Sequence, residues 1–297
     1  MHTYDDPTIP LVDTIDLEIL MHRDVHFSGN FSLMLEYYEK ENIGTMPDFS
    51  VKRIKKLLVE EQKLGKNLSE LLLPSSAQDN VDDARKMYLD LRDVYEASPP
   101  NPIATAISDL IFSEEEHPQI EIEALVTHGK VAVKSLISLL KSDKLYDPLY
   151  PGYGRAPILA AQCLARIQDD KAIPALFEML GQENFFTDDA MISAIASFGD
   201  KAIDFLLKRV IHKPFSKENE HAAIVLGSFP EEERISETCL QLLQDPDLKG
   251  HNTFANYLIL GCSALKNPED KQLFLNLKDK FPGFIKLEID LIAKSWT

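Results

Sequence analysis

The sequence predicts an all-α protein in which a helical N-terminal domain precedes an α-solenoid, a row of stacked antiparallel helix pairs. Three observations support this fold class. Strand signals are almost absent, because no stretch alternates between apolar and polar residues with β-branched enrichment. Helical periodicity with capping residues occurs along most of the chain. One arrangement of apolar residues also recurs several times in the C-terminal two-thirds.

The first part of the chain shows several one-sided helices with recognisable starts. Asn30, Ser50 and Asn67 are expected to cap helices, because each precedes an apolar series with helical spacing. A further helix is expected to begin at Asp79 or Asn80. This N-terminal region is therefore predicted to be helical, and its first residues are the least informative.

A proline-rich segment at 98–102 predicts the division between two domains. Successive prolines prevent a helix from continuing, while Asn101 and Pro102 form a good N-cap and first helical position. We expect a helical N-terminal domain of unknown type at residues 1–98. The α-solenoid is expected at residues 102–297, with about five repeats.

The internal repeat decides the predicted architecture. Ile122–Gly129 aligns without gaps with Ile192–Gly199. Leu164–Ile167 matches Ile195–Phe198 at an offset of 31 residues, and the same offset leads on to Leu226–Phe229. Each pair of helices has an apolar face too small to bury alone. Successive pairs are therefore expected to stack and form one continuous core.

One insertion, Leu145–Gly154, interrupts the repeat and is rich in tyrosine. Recognition residues tend to lie on loops, and Tyr and Arg are favoured at interface hot spots. The sequence therefore predicts that Tyr146, Tyr150, Tyr153 and Arg155 bind a partner. The open alternative is that the tyrosines pack over adjacent helix ends.

Polar residues on the second helix of each repeat form another candidate surface. Their mixed signs favour a protein or peptide ligand, although a solvated face that binds nothing explains them equally well. The predicted partner-binding residues on these helices are Lys134, Glu178, Asp204 and Lys208, accompanied by Ser138, Gln241 and Gln244.

The segment Ala160–Leu176 resembles a HEAT repeat of the short bacterial type, the subtype found in phycobilisome lyase-like proteins. Ala172–Pro174 matches the start of the second helix in that pattern, and Ile195–Leu206 repeats it with Asp204 in place of proline. The resemblance covers about residues 118–281. It implies an α-solenoid that binds proteins along the second helices. It does not imply lyase activity, because no bilin-specific motif is present.

The net charge and the hydropathy of the chain exclude some classes of partner and indicate a location. The formal net charge of -17 repels phosphate backbones and anionic lipid surfaces, so neither nucleic acid nor a membrane is expected as a partner. No apolar run is long enough to span a bilayer, and the first residues lack a secretory signal pattern. A cytoplasmic location is expected.

The three cysteines predict neither a disulfide framework nor a zinc site. Cys163, Cys239 and Cys262 are far apart, and each lies within a helical pattern. They are expected to be reduced thiols in the core. No cofactor and no metal are predicted.

Two segments, one around His22 and the acidic cluster of Glu114–Glu116 with Glu121 and Glu123, carry residue types that catalysis uses. His22–Val25 is similar to the catalytic loop of protein kinases, but too few residues precede it for a nucleotide-binding lobe. His22 and His26 would share a helix face with Asp24 nearby, which permits a metal site if a third ligand exists. Capping and packing roles are the alternative. The acidic run Glu114–Glu116 is expected to be a solvated helix end.

Taken together, these features predict a non-enzymatic protein–protein interaction scaffold or adaptor that binds a partner protein or peptide on its concave surface. One alternative is a lyase-like or metal-dependent enzyme that uses the region of His22, Asp24 and His26. A nucleic-acid module is a third possibility that the negative charge disfavours. The sequence leaves the oligomeric state open.

Overall fold

The computed structural model describes residues 12–182, 185–281 and 283–296. Within these ranges every regular element is helical, with short 3-10 turns between α-helices, so the predicted all-α class is confirmed. The chain divides into two compact units, one up to residue 163 and one from residue 164. The division predicted at 98–102 lies inside the first unit and stays a prediction.

The first unit is built from eight α-helices and the beginning of a ninth, as far as the described residues show. They are α1 (Thr14–His26), α2 (Phe31–Glu39), α3 (Val51–Leu64), α4 (Leu68–Leu72), α5 (Ser75–Asp93), α6 (Pro102–Phe112), α7 (Gln119–His128), α8 (Val133–Leu140) and α9 (Ala156–Ile167).

Helix starts in this unit follow the capping residues. Asn30, Ser50 and Asn67 each accept a hydrogen bond from a backbone N–H in the first turn of α2, α3 and α4, as predicted. Asn101 caps α6 in the same way, with Pro102 as its first residue. These side chains satisfy donors that have no partner inside the helix, which explains why the boundaries were readable.

The predicted start of α5 at residue 79 or 80 is wrong, because the helix begins at Ser75. Pro74 precedes it with an extended backbone and makes no side-chain cap. A proline ends the preceding helix and leads readily into a new one, since its fixed φ suits the start of a helix. The structure therefore adds one turn before the residues that looked like caps.

Helix α1 is the centre of the N-terminal part of this unit. It packs against α3, α4 and α5, while α2 packs on α3 and α6 packs on α7 and α8. Ile19 and Leu20 of α1 are completely buried. Charged residues of the same helix are buried as well, which is unusual for a helix of a globular protein.

The second unit contains eight further α-helices among the residues that are described. They are α10 (Ala172–Glu178), α11 (Phe185–Ala196), α12 (Asp200–Val210), α13 (Lys217–Leu226), α14 (Glu233–Leu242), α15 (Asn252–Leu260), α16 (Pro268–Asn276) and α17 (Gly283–Ser295).

These helices form two layers. The odd-numbered helices α11, α13, α15 and α17 pack successively on one another, and α12, α14 and α16 do the same. The layers are joined where α10 meets α11, α12 meets α13, α14 meets α15 and α16 meets α17. Helices that pack in consecutive pairs and then stack are the arrangement of an α-solenoid.

The apolar positions that recur in the sequence are the buried ones. Each second helix buries its four repeated residues, with exposed fractions of at most 7%. These residues are Ala132, Val133, Leu136 and Leu140 in α8 and its preceding turn, Ala172, Ile173, Leu176 and Leu180 in and just after α10, and Ala202, Ile203, Leu206 and Val210 in α12.

A ladder of surface ion pairs follows the repeat through the second unit. At or near the start of three second helices, a basic residue reaches an acidic residue located one repeat earlier. All three pairs are solvent-exposed, so their stabilisation is modest, but their spacing matches the stacking. They are Lys201 with Asp170 (2.7 Å), Arg234 with Asp200 (2.8 Å) and Lys266 with Glu233 (3.1 Å).

The three cysteines are core residues, as their positions in helical patterns predict. Cys163, Cys239 and Cys262 are buried and form no disulfide, and burial raises the pKa of Cys239 to about 12. None of the helices in the described part of the chain combines the length and the apolar character needed to cross a membrane.

Truncating a repeated core residue is expected to destabilise the protein. Leu206 is completely buried between the two layers, so Leu206→Ala should lower the free energy of unfolding by about 2–5 kcal/mol. Urea denaturation followed by circular dichroism measures this change. Lys208→Ala, on the exposed side of the same helix, is the control and should change it by less than about 0.5 kcal/mol. Equal effects of the two substitutions would contradict the stacked arrangement.

Candidate functional site

Arg23, near the end of α1, is a completely buried cation. Its Nε donates to Asp24 Oδ1 at 2.8 Å, and its Nη1 donates to Glu61 Oε2 at 2.6 Å. Its Nη2 donates to Asn67 Oδ1 at 2.8 Å and to Ser69 Oγ at 2.9 Å. The guanidinium is thus surrounded by acceptors, which is the condition for burying a charge at an acceptable cost.

The partners of Arg23 are themselves structural. Asn67 caps α4, and Glu61 in α3 also accepts a hydrogen bond from the backbone N–H of Leu68 at 2.9 Å. The ring of Phe31 in α2 lies 4.4 Å from the guanidinium carbon, within cation–π range. One side chain therefore connects α1 with α2, α3 and α4. Sequence reasoning missed it, since the residues around Arg23 look like a catalytic motif when read locally.

His22 and His26, one turn apart on α1, lie in an aromatic cluster. Their ring centroids are 4.3 Å apart, and the rings around them lie at centroid distances from 4.6 Å (His26 to Tyr153) to 6.4 Å (His26 to Phe27). The helix spacing of the two histidines was evident from the sequence, but their aromatic neighbours come from distant segments. The cluster consists of His22, His26, Phe27, Tyr37, Tyr38, Phe49, Tyr88 and Tyr153.

His26 uses both ring nitrogens. Nε2 lies 3.0 Å from the carbonyl oxygen of Pro148, and Nδ1 lies 2.8 Å from the hydroxyl of Tyr88. Because a carbonyl only accepts, Nε2 carries the proton and Nδ1 accepts from Tyr88. Burial lowers the pKa of His26 to about 4, so the ring is neutral at pH 7.

His22 is also buried, but only one of its two ring nitrogens has a hydrogen-bond partner. Its Nε2 has no hydrogen-bond partner in the described structure, whereas the backbone of Gly44 hydrogen-bonds to the ring. Burial, followed by the proximity of His26, lowers the pKa of His22 well below its usual value. The result is a neutral imidazole with one unsatisfied nitrogen, which is rare inside a folded protein.

The tyrosine-rich insertion packs within the first unit. The hydroxyl of Tyr150 donates to Asp83 Oδ2 at 2.7 Å, and Lys144 Nζ reaches the same oxygen at 2.6 Å. The hydroxyl of Tyr146 donates to the carbonyl oxygen of Leu140 at 2.9 Å. Burial raises the pKa of Tyr150 to about 12. Both predicted binding residues thus hold the insertion in place.

Tyr153 and Arg155 complete the insertion. Tyr153 has a positive φ of 55°, and its ring lies where a Cβ at Gly44 would be, so only glycine fits that position. Its hydroxyl is hydrogen-bonded to Tyr37, which in turn donates to Glu114 Oε2 at 2.6 Å. Arg155 Nη2 donates to the backbone of Glu115 at 2.8 Å. Partner binding by these residues stays a prediction.

The predicted binding residues on second helices are all exposed. Lys134 lies on α8 in the first unit, whereas Glu178, Asp204 and Lys208 lie on α10 and α12 in the second. Asp204 pairs with Arg234 at 3.2 Å as part of the ion-pair ladder. The structure therefore places three of the four within one stacked layer.

The alternative metal site lacks a complete ligand set in the described residues. No group of three His, Cys, Asp or Glu side chains there has the geometry to hold a metal ion. The carboxylate of Asp24 contacts Arg23, and both nitrogens of His26 are engaged. An enzyme that uses this region would need another ligand, and that alternative stays a prediction.

Several cavities adjoin the aromatic cluster. One of about 450 Å³ has aromatic walls, with Arg92 and Glu114 as its charged groups. Another of about 450 Å³ lies beside His26 and Tyr88 and is lined by residues of α1 and α5. A further one, of about 260 Å³, is called the methionine cavity. Its lining includes Met21, His22, Met46, Phe49, Pro148 and Leu149.

Comparison with known proteins gives no assignment. No protein-family profile matches the chain, and no curated protein shows significant similarity to it.

Removing the buried cation is expected to destabilise the first unit strongly. Arg23→Ala leaves Asp24 and Glu61 without their counter-charge, so the free energy of unfolding should fall by about 3–5 kcal/mol. Urea denaturation measures the loss. Arg92→Ala, in which no ion pair of the described structure is broken, is the matched control. A loss below about 1 kcal/mol for Arg23→Ala would show that the network is not structural.

The buried histidines predict a loss of stability in acid. The unfolded chain binds a proton at His26 below pH 6.5, whereas the folded protein binds it only near pH 4. Above pH 6.5, His26 is neutral in both the folded and the unfolded protein, so it does not lower the free energy of unfolding. As the pH falls from 6.5 towards 4, the free energy of unfolding decreases by about 1.4 kcal/mol per pH unit. His26→Gln should make the measured slope of unfolding free energy against pH shallower in this range.

His117→Gln, which replaces an exposed histidine, is the control for that experiment. An unchanged slope in the His26→Gln protein would mean that this ring is not held neutral by the fold.

Proposed function

We propose that this chain is a non-enzymatic, HEAT-like scaffold or adaptor that binds a partner protein or peptide along the second helices of its solenoid. The observation that supports the proposal is the two-layer stack of the second unit. Its repeated apolar residues are buried between helices, and one helix per repeat presents polar side chains outwards. Such regular rows suit an extended ligand, because corresponding positions recur at each repeat.

The layer of second helices carries both acidic and basic side chains, which suits a partner that also carries charges of both signs. Glu178, Asp204 and Lys208 are exposed on two neighbouring second helices, and Gln241 is exposed on the next. Asp204 is already paired with Arg234, whereas Lys208 forms no ion pair or side-chain hydrogen bond in the described structure. An unpaired lysine within a row of polar side chains offers a direct contact to an acidic group of the partner.

The net charge of -17 argues against a nucleic-acid partner for the same surface. A cytoplasmic location is part of this proposal.

Photo-crosslinking at position 208 tests the proposal directly. A photoreactive amino acid in place of Lys208 should capture a defined protein from the native lysate, while the same amino acid in place of Lys249 should not. Lys249 is also exposed but lies in the loop before α15, which makes it a matched control. Capture at both positions alike, or at neither, would contradict binding along the second helices.

Charge reversal then measures the contribution of the lysine. Lys208→Glu should weaken binding of the captured partner at least tenfold, equivalent to about 1.4 kcal/mol, because it replaces attraction by repulsion. Lys249→Glu should change the affinity less than twofold. Titration calorimetry with the purified partner gives both values.

A further inference from the structure

The methionine cavity has the size of a site for one side chain. Its volume of about 260 Å³ lies just below the range of roughly 300–1,000 Å³ that is usual for pockets holding small molecules. Its walls come from α1, from the loop between α2 and α3, from Asn80 of α5, and from the insertion. Met21, Met46, Phe49, Pro148 and Leu149 make these walls mainly apolar.

His22 lines this cavity and carries a buried ring nitrogen that lacks a hydrogen-bond partner. The backbone of Gly44 hydrogen-bonds to one ring nitrogen, and Nε2 is left buried without a partner. Because the N–H of Gly44 donates to the hydroxyl of Tyr37 and His22 Nε2 has no partner, we assign the contact to the Gly44 carbonyl oxygen and Nδ1. A carbonyl only accepts, so Nδ1 carries the proton and Nε2 of the neutral ring carries a lone pair. A ligand that brings an N–H donor would therefore satisfy His22, whereas a purely apolar ligand would leave it unsatisfied.

The methionines indicate which apolar group suits the walls. Met21 and Met46 line the cavity beside Phe49. Thioether side chains are flexible and make favourable contacts with aromatic rings, so they adapt to a flat ring more readily than branched residues would. Among protein side chains, indole combines a large aromatic surface with a group that only donates a hydrogen bond.

The rim of the cavity is negative. Glu18 and Asp147 line it, both are exposed, and neither forms an ion pair among the residues described. Asp147 only accepts a hydrogen bond from the backbone N–H of Leu149 at 2.8 Å. Two uncompensated carboxylates at the entrance favour a ligand that carries positive charge next to the inserted group.

We propose that the methionine cavity binds the indole side chain of a tryptophan in a partner peptide, with lysine or arginine on either side of that tryptophan. The indole N–H donates to His22 Nε2, the ring packs against Met21 and Met46, and the flanking cations pair with Glu18 and Asp147. This inference rests on the proposed function, because it takes the partner to be a protein or peptide, and it names a sequence feature of that partner.

The test uses synthetic peptides with the full-length protein. The probe is acetyl-Lys-Trp-Lys-amide, and the signals are the methyl resonances of methionine labelled with ¹³C, assigned by Met21→Leu and Met46→Leu. Titration should shift both resonances to saturation. Peptides with Phe or Tyr in place of Trp, or with Glu in place of both lysines, should bind at least tenfold more weakly.

Methylation of the indole nitrogen isolates the hydrogen bond. The N-methyl peptide should lose at least tenfold in affinity for the wild-type protein but bind His22→Phe as the unmodified peptide does. Glu18→Gln should weaken the lysine peptide about threefold or more at low salt and remove part of its salt dependence. Glu70→Gln, at an exposed carboxylate that does not line this cavity, is the control.

Absence of shifts at Met21 and Met46, equal affinity for the Phe or Tyr peptide, or no effect of N-methylation would each overturn the proposal. None of these outcomes touches crosslinking at Lys208, so failure here and failure of the proposed scaffold function are distinguishable.

Discussion

The guanidinium of Arg23 is the interaction on which the N-terminal helices depend. A charge with no exposure to water has to be compensated entirely by the protein, and here two carboxylates, an amide and a hydroxyl supply the acceptors. These groups come from three helices, so the helices have to be assembled before the charge is satisfied. Apolar contacts alone would tolerate small shifts between these short helices. The directional hydrogen bonds of Arg23 define one arrangement, and the aromatic cluster and its cavities form beside it.

The second unit is organised in a different way. Its helices pack on immediate neighbours along the chain and on the equivalent helices of the next repeat. The stability of such a stack is approximately the sum of repeat and interface contributions. Among the described residues of this unit, no buried cation comparable to Arg23 occurs. A buried leucine such as Leu206 therefore contributes to one interface, whereas Arg23 contributes to several at once. The first unit thus has a core held by contacts between residues far apart in the sequence, whereas the core of the second unit is built from contacts between neighbouring repeats.

The difference between the units explains what the sequence could predict. Repeats and caps depend on residues close together in the chain, so the stacked helices, the N-caps at Asn30, Ser50 and Asn67, and the buried repeat positions were readable. Arg23 finds Glu61 and Asn67 at separations of 38 and 44 residues, which no local pattern reveals. For the same reason the fit of Tyr153 against Gly44, and the cavity beside His22, required the folded structure. The start of α5 was misjudged because possible caps inside a helix resemble real ones.

The ion-pair ladder of the second unit gives its repeats a polarity. Each internal repeat of the ladder contributes an acidic residue to the pair with the following repeat and a basic residue to the pair with the preceding one. Asp200 and Lys201 illustrate this within a single repeat. An internal repeat that was duplicated or lost as a whole would leave matching charges at the new junction. Changes in solenoid length during evolution would be electrostatically neutral at these junctions, which favours growth by tandem duplication.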